Sequence, residues 1–421
     1  MQYQRRILDD TLDEIFPHIS AIALEGAKGV GKTATASQRA KTIISLSDPG
    51  QREALAANLD RVTQVPAPVL VDEWQLEPPV WDRVRRAVDD DPTGGRFLLT
   101  GSAGAAAGVR IHSGAGRIGS LHMRPLAVSE RGLVDPTLSL GALLRGERPD
   151  VAGESPIDVP VYVDEILSSG FPGIRKLPER ARNFQLDSYI ARIIDRELPE
   201  NGVTIRRPGA LRAWLAAYGA ATATDASYST ILDAATAGHQ DKPARGTVDG
   251  YREQLTRLFI LEPLPAWIPV FNPLKRLTRA PKHHLVDPAI AARLVRVGRE
   301  GLLRGDRTAA STGTWLGALF ESLATQSIRV YADAVDATTA HLRTKDGARE
   351  IDLIVEGPDR RVIAIEVKLA PTVGDSDVRH LNWLRTQLGD QLADRLVITT
   401  GPVAYRRPDG VAVIPLALLG P

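Results

Sequence analysis

Gly26-Ala27-Lys28-Gly29-Val30-Gly31-Lys32-Thr33 is the stretch that decides the fold. It satisfies the pattern G-x-x-x-x-G-K-[ST], with the apolar run Ile22-Ala23-Leu24 before it and a helix-like stretch from Ala34 to Ile44 after it. Strand, glycine-rich turn and helix in that order predict a loop that wraps phosphate. Gly26, Gly29 and Gly31 let the backbone turn its N–H groups toward an anion. Lys32 is placed to reach the β- and γ-phosphates, the Thr33 hydroxyl to bind Mg²⁺, and the helix start to add its positive end. The expected ligands are therefore ATP and Mg²⁺.

Working outward, Pro68-Val69-Leu70-Val71-Asp72-Glu73-Trp74 is an apolar strand ending in two adjacent carboxylates. Behind a phosphate loop this pair has a division of labour: Asp72 for the metal's water shell, Glu73 to orient and deprotonate the attacking water. Before it, Ile43 to Leu46 reads as a short strand and Gln51 to Asn58 as a helix. The next strand, Arg96 to Ser102, ends in hydroxyls. Alternating strands and helices predict a parallel sheet covered on both faces. If this strand inserts between the other two, Thr100 or Ser102 comes near the γ-phosphate. Arg117, in a glycine-rich loop before the strand-like Ile118 to Met123, is a candidate for stabilising phosphate charge, commonly from a neighbouring subunit. That role requires a homo-oligomer.

The 421 residues suffice for about three domains. The absence of cysteine excludes disulfides, thiolate metal sites and a cysteine nucleophile, and is compatible with a cytoplasmic protein. The N-terminus reads as no secretory signal, and no apolar run reaches the ~18 residues of a membrane span. A net charge of +1 gives no global attraction to nucleic acid. Only nine of the 52 basic residues are Lys, so a Lys at a motif position carries weight; Lys32 and Lys368 are two of them.

The phosphate loop, Leu-Val-Asp-Glu-Trp-Gln, Leu-Leu-Thr-Gly-Ser, Ala-Gly-Arg and Arg-Pro-Leu-Ala-Val-Ser-Glu, in that order, resemble a family of prokaryotic AAA-type ATPases. Their C-terminal half carries a domain of unknown function with a nuclease-like end. Trp74 stands where the family has Ile, outside the catalytic pair, and Ser169 stands where it has the first Gly of a Gly-Gly-[FY]-Pro segment.

Gly146 to Asp158 reads as a linker or exposed loop. Arg182 to Leu198 has helical spacing, with Phe184, Leu186, Tyr189, Ile190, Ile193 and Ile194 as core positions. Three further helical stretches, Gly209–Tyr218, Asp225–Ala235 and Thr247–Phe259, end in the strand-like Phe259-Ile260-Leu261. That succession suits a winged-helix module, which docks on DNA in some proteins and acts as a lid or protein-binding element in others. Arg206, Arg207 and Arg245 are candidate phosphate contacts. His283 and His284 point to opposite strand faces and so are not a shared metal site.

Near the C-terminus, Glu350 to Val355 and Val362 to Lys368 flank a turn. A hairpin of these strands brings Asp352 beside Glu366, with Lys368 on the Glu366 face. Two carboxylates can hold a divalent metal that activates water, and a nearby lysine can orient that water or neutralise the developing charge. The pattern D-x(n)-E-x-K resembles the PD-(D/E)XK nuclease signature, and that resemblance implies Glu321, on a helix upstream, as a third acid.

The expected fold is α/β, in three parts. Residues 1–145 form a parallel-sheet P-loop ATPase core, 146–270 a helical, winged-helix-like domain, and 271–421 an α/β PD-(D/E)XK nuclease-like domain. The expected function is ATP hydrolysis coupled to a nuclease-like DNA-binding domain. The alternative is an ATP-dependent regulator or scaffold whose C-terminal domain binds DNA or protein without cleaving.

Overall fold

Five short apolar runs build the first sheet: β1 (Ala21–Glu25), β2 (Thr42–Ser45), β3 (Val69–Asp72), β4 (Phe97–Gly101) and β5 (Ile118–His122). In this computed structural model, residues 3–102, 113–236, 245–268, 280–304, 312–345 and 347–421 are described. The strands are all parallel, in the order β2-β3-β4-β1-β5. The expected insertion is present, with β4 between the strand that leads into the phosphate loop and the strand that ends in Asp72. Both faces are covered, so alternate residues feed different cores. Ala21, Ala23, Val69, Val71, Phe97 and Leu99 pack with the helix Pro79–Asp90. Ile22, Leu24, Leu70 and Leu98 pack with Leu12 and Phe16 of the N-terminal helical segment and with Ala36. Trp74, in place of Ile, is buried with its ring centroid 4.6 Å from that of Trp81.

The helix after the phosphate loop is shorter than expected, Lys32–Ser37 rather than 34–44. The Lys41 and Thr42 N–H groups both bond to Pro68 O, at 2.9 and 3.2 Å, which starts β2 and leaves no room for further helical turns. The helix expected at 51–58 spans Pro49–Ala57, with the Asp48 carboxylate capping Gly50 and Gln51.

The segment expected as a linker or exposed loop at 146–158 is an irregular and mostly exposed stretch, pinned at three positions. Val151, Ser155 and Ile157 are buried, and Ser155 N and Ala404 N bond across to Pro402 O and Gly153 O at 2.7 and 2.9 Å. The helix Glu179–Arg192 runs through a π-turn at Ile193–Glu197 into Leu198–Glu200. Leu186, Ile190, Ile193 and Ile194 are buried as expected, but Phe184 is 71% exposed, on the face turned away from them. Helices Pro208–Ala220, Tyr228–Ala235 and Arg245–Arg257 follow; the side chain of Arg245 lies outside the described residues.

Beyond them, antiparallel bridges join Leu261 to Leu285 and Leu264 to Lys282. The helix Pro288–Val295 then packs on Pro208–Ala220 and on Val159–Ser168. A boundary at 270/271 therefore cuts a packed unit; the helical module continues to about residue 295.

The last unit has the 22-residue helix Thr312–Asp333 and a mixed sheet. After the two-residue β6 (Leu138–Ser139), its strands are β7 (Thr338–Arg343), β8 (Glu350–Glu356), β9 (Val362–Lys368), β10 (Leu392–Thr399), β11 (Tyr405–Arg406) and β12 (Ala412–Pro415). Their order is β11-β12-β10-β9-β8-β7, with β8 and β9 antiparallel as expected. The chain end, β13 (Leu419–Gly420), returns to pair with β6, tying the C-terminal unit to the exit of the first. One core cluster contains Ala27 and Val30 of the phosphate loop, the middle helices and the Thr312–Asp333 helix. No helix among the described residues is long and apolar enough to cross a membrane.

Candidate functional site

The phosphate loop leaves the C-terminal end of β1, where open parallel sheets collect ligands. Gly26, Gly29 and Gly31 have φ of 145°, 84° and 111°, the region that favours glycine. At Gly26 space also forbids a side chain, because a Cβ would lie 2.2 Å from Met123 O. Val30 and Ala27 anchor the loop from below, both fully buried. Lys32 is also buried, and its Nζ donates to Gly26 O at 2.7 Å and Ala27 O at 2.9 Å. Burial pushes this ammonium down to about 8, against the opposing pull of Glu73 and Asp72. A group so poised gains from a phosphate beside it.

Thr33 and the β3 carboxylate meet at the mouth of the loop. The Thr33 hydroxyl donates to Asp72 Oδ1 at 2.6 Å, and the Thr100 hydroxyl donates to the same oxygen at 2.7 Å. Insertion of β4 delivers Thr100 here, through the register Asp72 to Thr100. A hydroxyl and a carboxylate in contact beside a phosphate cradle are the donors that Mg²⁺ takes when phosphate oxygens and water complete its shell, so the residues fit the ion. Ser102 is buried and lines an adjoining cleft of about 400 Å³ with Lys28, Ser47, Asp72, Glu73 and Glu197.

Glu73 opens that cleft from a left-handed backbone, φ 57° and ψ 45°. Such a conformation is costly for a residue with a Cβ and persists where surroundings enforce it. The Gln75 amide donates to its carboxylate, so Gln75 is a positioning residue that the sequence reading quoted but did not use.

Two partners of the loop come from far along the chain. Glu197, in the π-turn, pairs with Lys28 at 3.2 Å, and the Tyr189 hydroxyl donates to Lys28 O at 3.2 Å. Burial raises the Glu197 carboxyl, and Lys28 acts against that rise. Arg6 donates to Val30 O at 3.0 Å while paired with Glu130 at 2.9 Å, both buried. On this side a second cavity of about 400 Å³ is bounded by Tyr3, Gly31, Ala34, Thr35, Met123 and Pro172, among others. Its place beside the helix that follows the loop, and its apolar walls, suit a nucleobase.

Arg117 lies elsewhere. It precedes β5, whose Ile118 is level with Ala21 at the start of β1, so the length of β1, roughly 17 Å, separates it from the loop. It pairs with Asp89 at 2.8 Å.

The C-terminal set does converge. Extending the β8–β9 register from Leu353–Ile365 by one places Asp352 opposite Glu366, and both are buried. Lys368 Nζ donates to Glu366 Oε2 at 3.0 Å, and Val367 N to Asp352 Oδ2 at 2.9 Å. The sequence reading missed Lys282. Its Nζ lies 2.9 Å from Glu321 Oε1, 2.9 Å from Asp352 Oδ1 and 3.0 Å from Glu350 Oε1. Burial, then Asp352, raises the Glu321 carboxyl to about 8; for Asp352, Lys282 and Lys368 outweigh burial and lower it. Among the described residues no three His, Asp or Glu side chains are arranged to hold a metal ion. The neighbouring histidines part company: His283 bonds to Ala226 O and His284 to the Ser322 hydroxyl.

Residues 18–131 match the AAA domain, 160–301 a domain of unknown function (DUF8612) and 316–419 another (DUF4143). The first match falls on the phosphate loop and the five-stranded parallel sheet. The uncharacterized proteins Rv2008c of Mycobacterium tuberculosis and Mb2031c of Mycobacterium bovis are each 25% identical over 99% of this chain and 84% of their own. The Aeropyrum pernix ORC2 protein, solved in its ADPNP–ADP complexes, aligns with 72% of this chain and 94% of its own at 14% identity and a TM-score of 0.29.

Proposed function

We propose that this chain binds ATP with Mg²⁺, hydrolyses it, and passes its nucleotide state to the helical module and the C-terminal unit. The carrying observation is the convergence of Thr33, Asp72 and Thr100 on one carboxylate oxygen, with Glu73 next in sequence facing the cleft. Lys32 and the loop amides bind the β- and γ-phosphates, Thr33 and Asp72 hold the metal, and Glu73 takes the proton of the attacking water. Mg²⁺, when bound, supplies charge neutralisation at the transferred phosphoryl group. Thr100 orients Asp72, and Ser102 is the nearer of the two to the cleft. Arg117 acts, if at all, across a homo-oligomer interface. We place the protein in the cytoplasm.

DNA is the partner we assign to the remaining two-thirds. Three helices followed by the 261–285 bridge pair suit a winged-helix module, and Arg206 and Arg207 are exposed at its edge. The Asp352, Glu366 and Lys368 pattern is nuclease-like. The non-cleaving alternative has one specific observation in its favour, the lysine among the carboxylates.

Coupling runs through Lys28 and Glu197. A γ-phosphate competes with Glu197 for the Lys28 ammonium, so ATP loosens the helical module's hold on the loop. Sedimentation of the protein with DNA, with and without ATP·Mg²⁺, tests this. Wild type is expected to change its DNA capture severalfold with nucleotide, and Glu197→Gln, with its hold on Lys28 weakened, to respond less than twofold. Equal capture by wild type in both conditions would defeat the coupling.

A further inference from the structure

The carboxylates near the C-terminus are the kind that would bind a metal, yet their centre is filled by an ammonium. Lys282 is 2% exposed. An ammonium has three N–H donors, and Lys282 has three carboxylate oxygens at 2.9 to 3.0 Å, one each from Glu321, Asp352 and Glu350. The contacts to Glu321 and Asp352 are hydrogen bonds and that to Glu350 is an ion pair, so carboxylate charge surrounds Nζ. A Mg²⁺ or Mn²⁺ ion would need carboxylate oxygens of this set at about 2.1 Å from its own centre, in the space Nζ holds. The remaining acid, Glu366, has its own lysine at 3.0 Å in Lys368.

Lys282 is held where it is from both sides. Its backbone is paired with Leu264, through N–H to carbonyl bonds of 3.0 and 2.8 Å in the two directions. The stretch that carries Leu264 is fastened to the C-terminal sheet, because Trp267 N donates to His341 O at 2.7 Å and Trp267 Nε1 to Glu356 Oε2 at 2.7 Å. The lysine comes from the helical module and the acids from the C-terminal unit. The contact therefore joins two units as well as neutralising a site.

We propose that Lys282 is the resident cation of this cluster, and that its ammonium closes the cluster to divalent metal. The C-terminal unit then has a lysine where a metal ion would sit, and cannot cleave nucleic acid while Lys282 is seated.

The test is thermal denaturation without nucleotide, with and without Mn²⁺, of wild type, Lys282→Ala and Lys282→Ala/Asp352→Asn. Wild type is expected to show no Mn²⁺ effect. Lys282→Ala melts lower, because Glu321, Glu350 and the buried Asp352 lose their counter-ion, and saturating Mn²⁺ raises its midpoint by at least about 5 °C. The double variant gains nothing from Mn²⁺. A Lys282→Ala protein that folds and ignores Mn²⁺ overturns the proposal. Should Lys282→Ala not fold, Mn²⁺ water-proton relaxation on wild type and Asp352→Asn decides. Equal, weak enhancement in both supports the lock; a site in wild type that Asp352→Asn removes overturns it.

Discussion

Glu73→Gln protein is expected to bind ATP·Mg²⁺ about as well as wild type and to turn it over at least ~100-fold more slowly. The amide has the carboxylate's shape but cannot accept the proton of the attacking water. Its neighbours change little: the left-handed turn at residue 73 is set by the strand end, and Trp74 behind it stays buried. Lys32, Thr33 and Asp72 are untouched, so the grip on phosphate and metal persists. Phosphate release and equilibrium nucleotide binding, measured on the same preparation, check the split. Undiminished hydrolysis in the variant removes Glu73 as the base.

Glu130→Ala should cost about 3–5 kcal/mol of stability, the usual loss when one partner of a buried ion pair is removed. The Glu130 carboxylate accepts from Arg6 Nε at 2.9 Å, Arg6 Nη2 at 3.0 Å, Ile7 N at 2.8 Å and Ala127 N at 2.8 Å. Its loss strands a buried guanidinium and two backbone donors. The damage extends to the phosphate loop, because Arg6 also donates to Val30 O and Arg124 O. The variant should therefore bind ATP more weakly as well as unfold earlier in denaturant. A stability loss under 1 kcal/mol would mean that Arg6 finds another partner.

The ATPase half was readable because its signals are local. A glycine-rich turn between strand and helix, and a strand ending in Asp72-Glu73, are short patterns with one economical arrangement. Insertion of β4 then brings the hydroxyl of Thr100 to Asp72. The hairpin that brings Asp352 to Glu366 is equally local. What escaped notice depends on approach between distant segments. Lys282 meets Glu321, Glu350 and Asp352 across two units; Glu197 meets Lys28, and Arg6 meets Glu130, across more than a hundred residues each. No periodicity marks such pairs. One clue was present: in a chain with nine lysines, Lys282 is one, and the scarcity that drew attention to Lys32 and Lys368 applied to it equally. At 146–158 proline, glycine and charge marked an exposed loop but not the points that pin it. Val151 and Ile157 fasten that segment to the fold, and backbone bonds to Pro402 and Ala404 do the rest. Phe184 shows the limit of helical spacing, which finds a face but not where it ends.

Metal-dependent turnover at the phosphate loop is the property most directly open to test. Steady-state phosphate release from ATP should be followed with the purified full chain in Mg²⁺ and again in excess EDTA. Release in Mg²⁺ that disappears on chelation is the expected result, since Thr33 and Asp72 are assigned to the ion. No release in Mg²⁺ with or without DNA, or equal release after chelation, would contradict it.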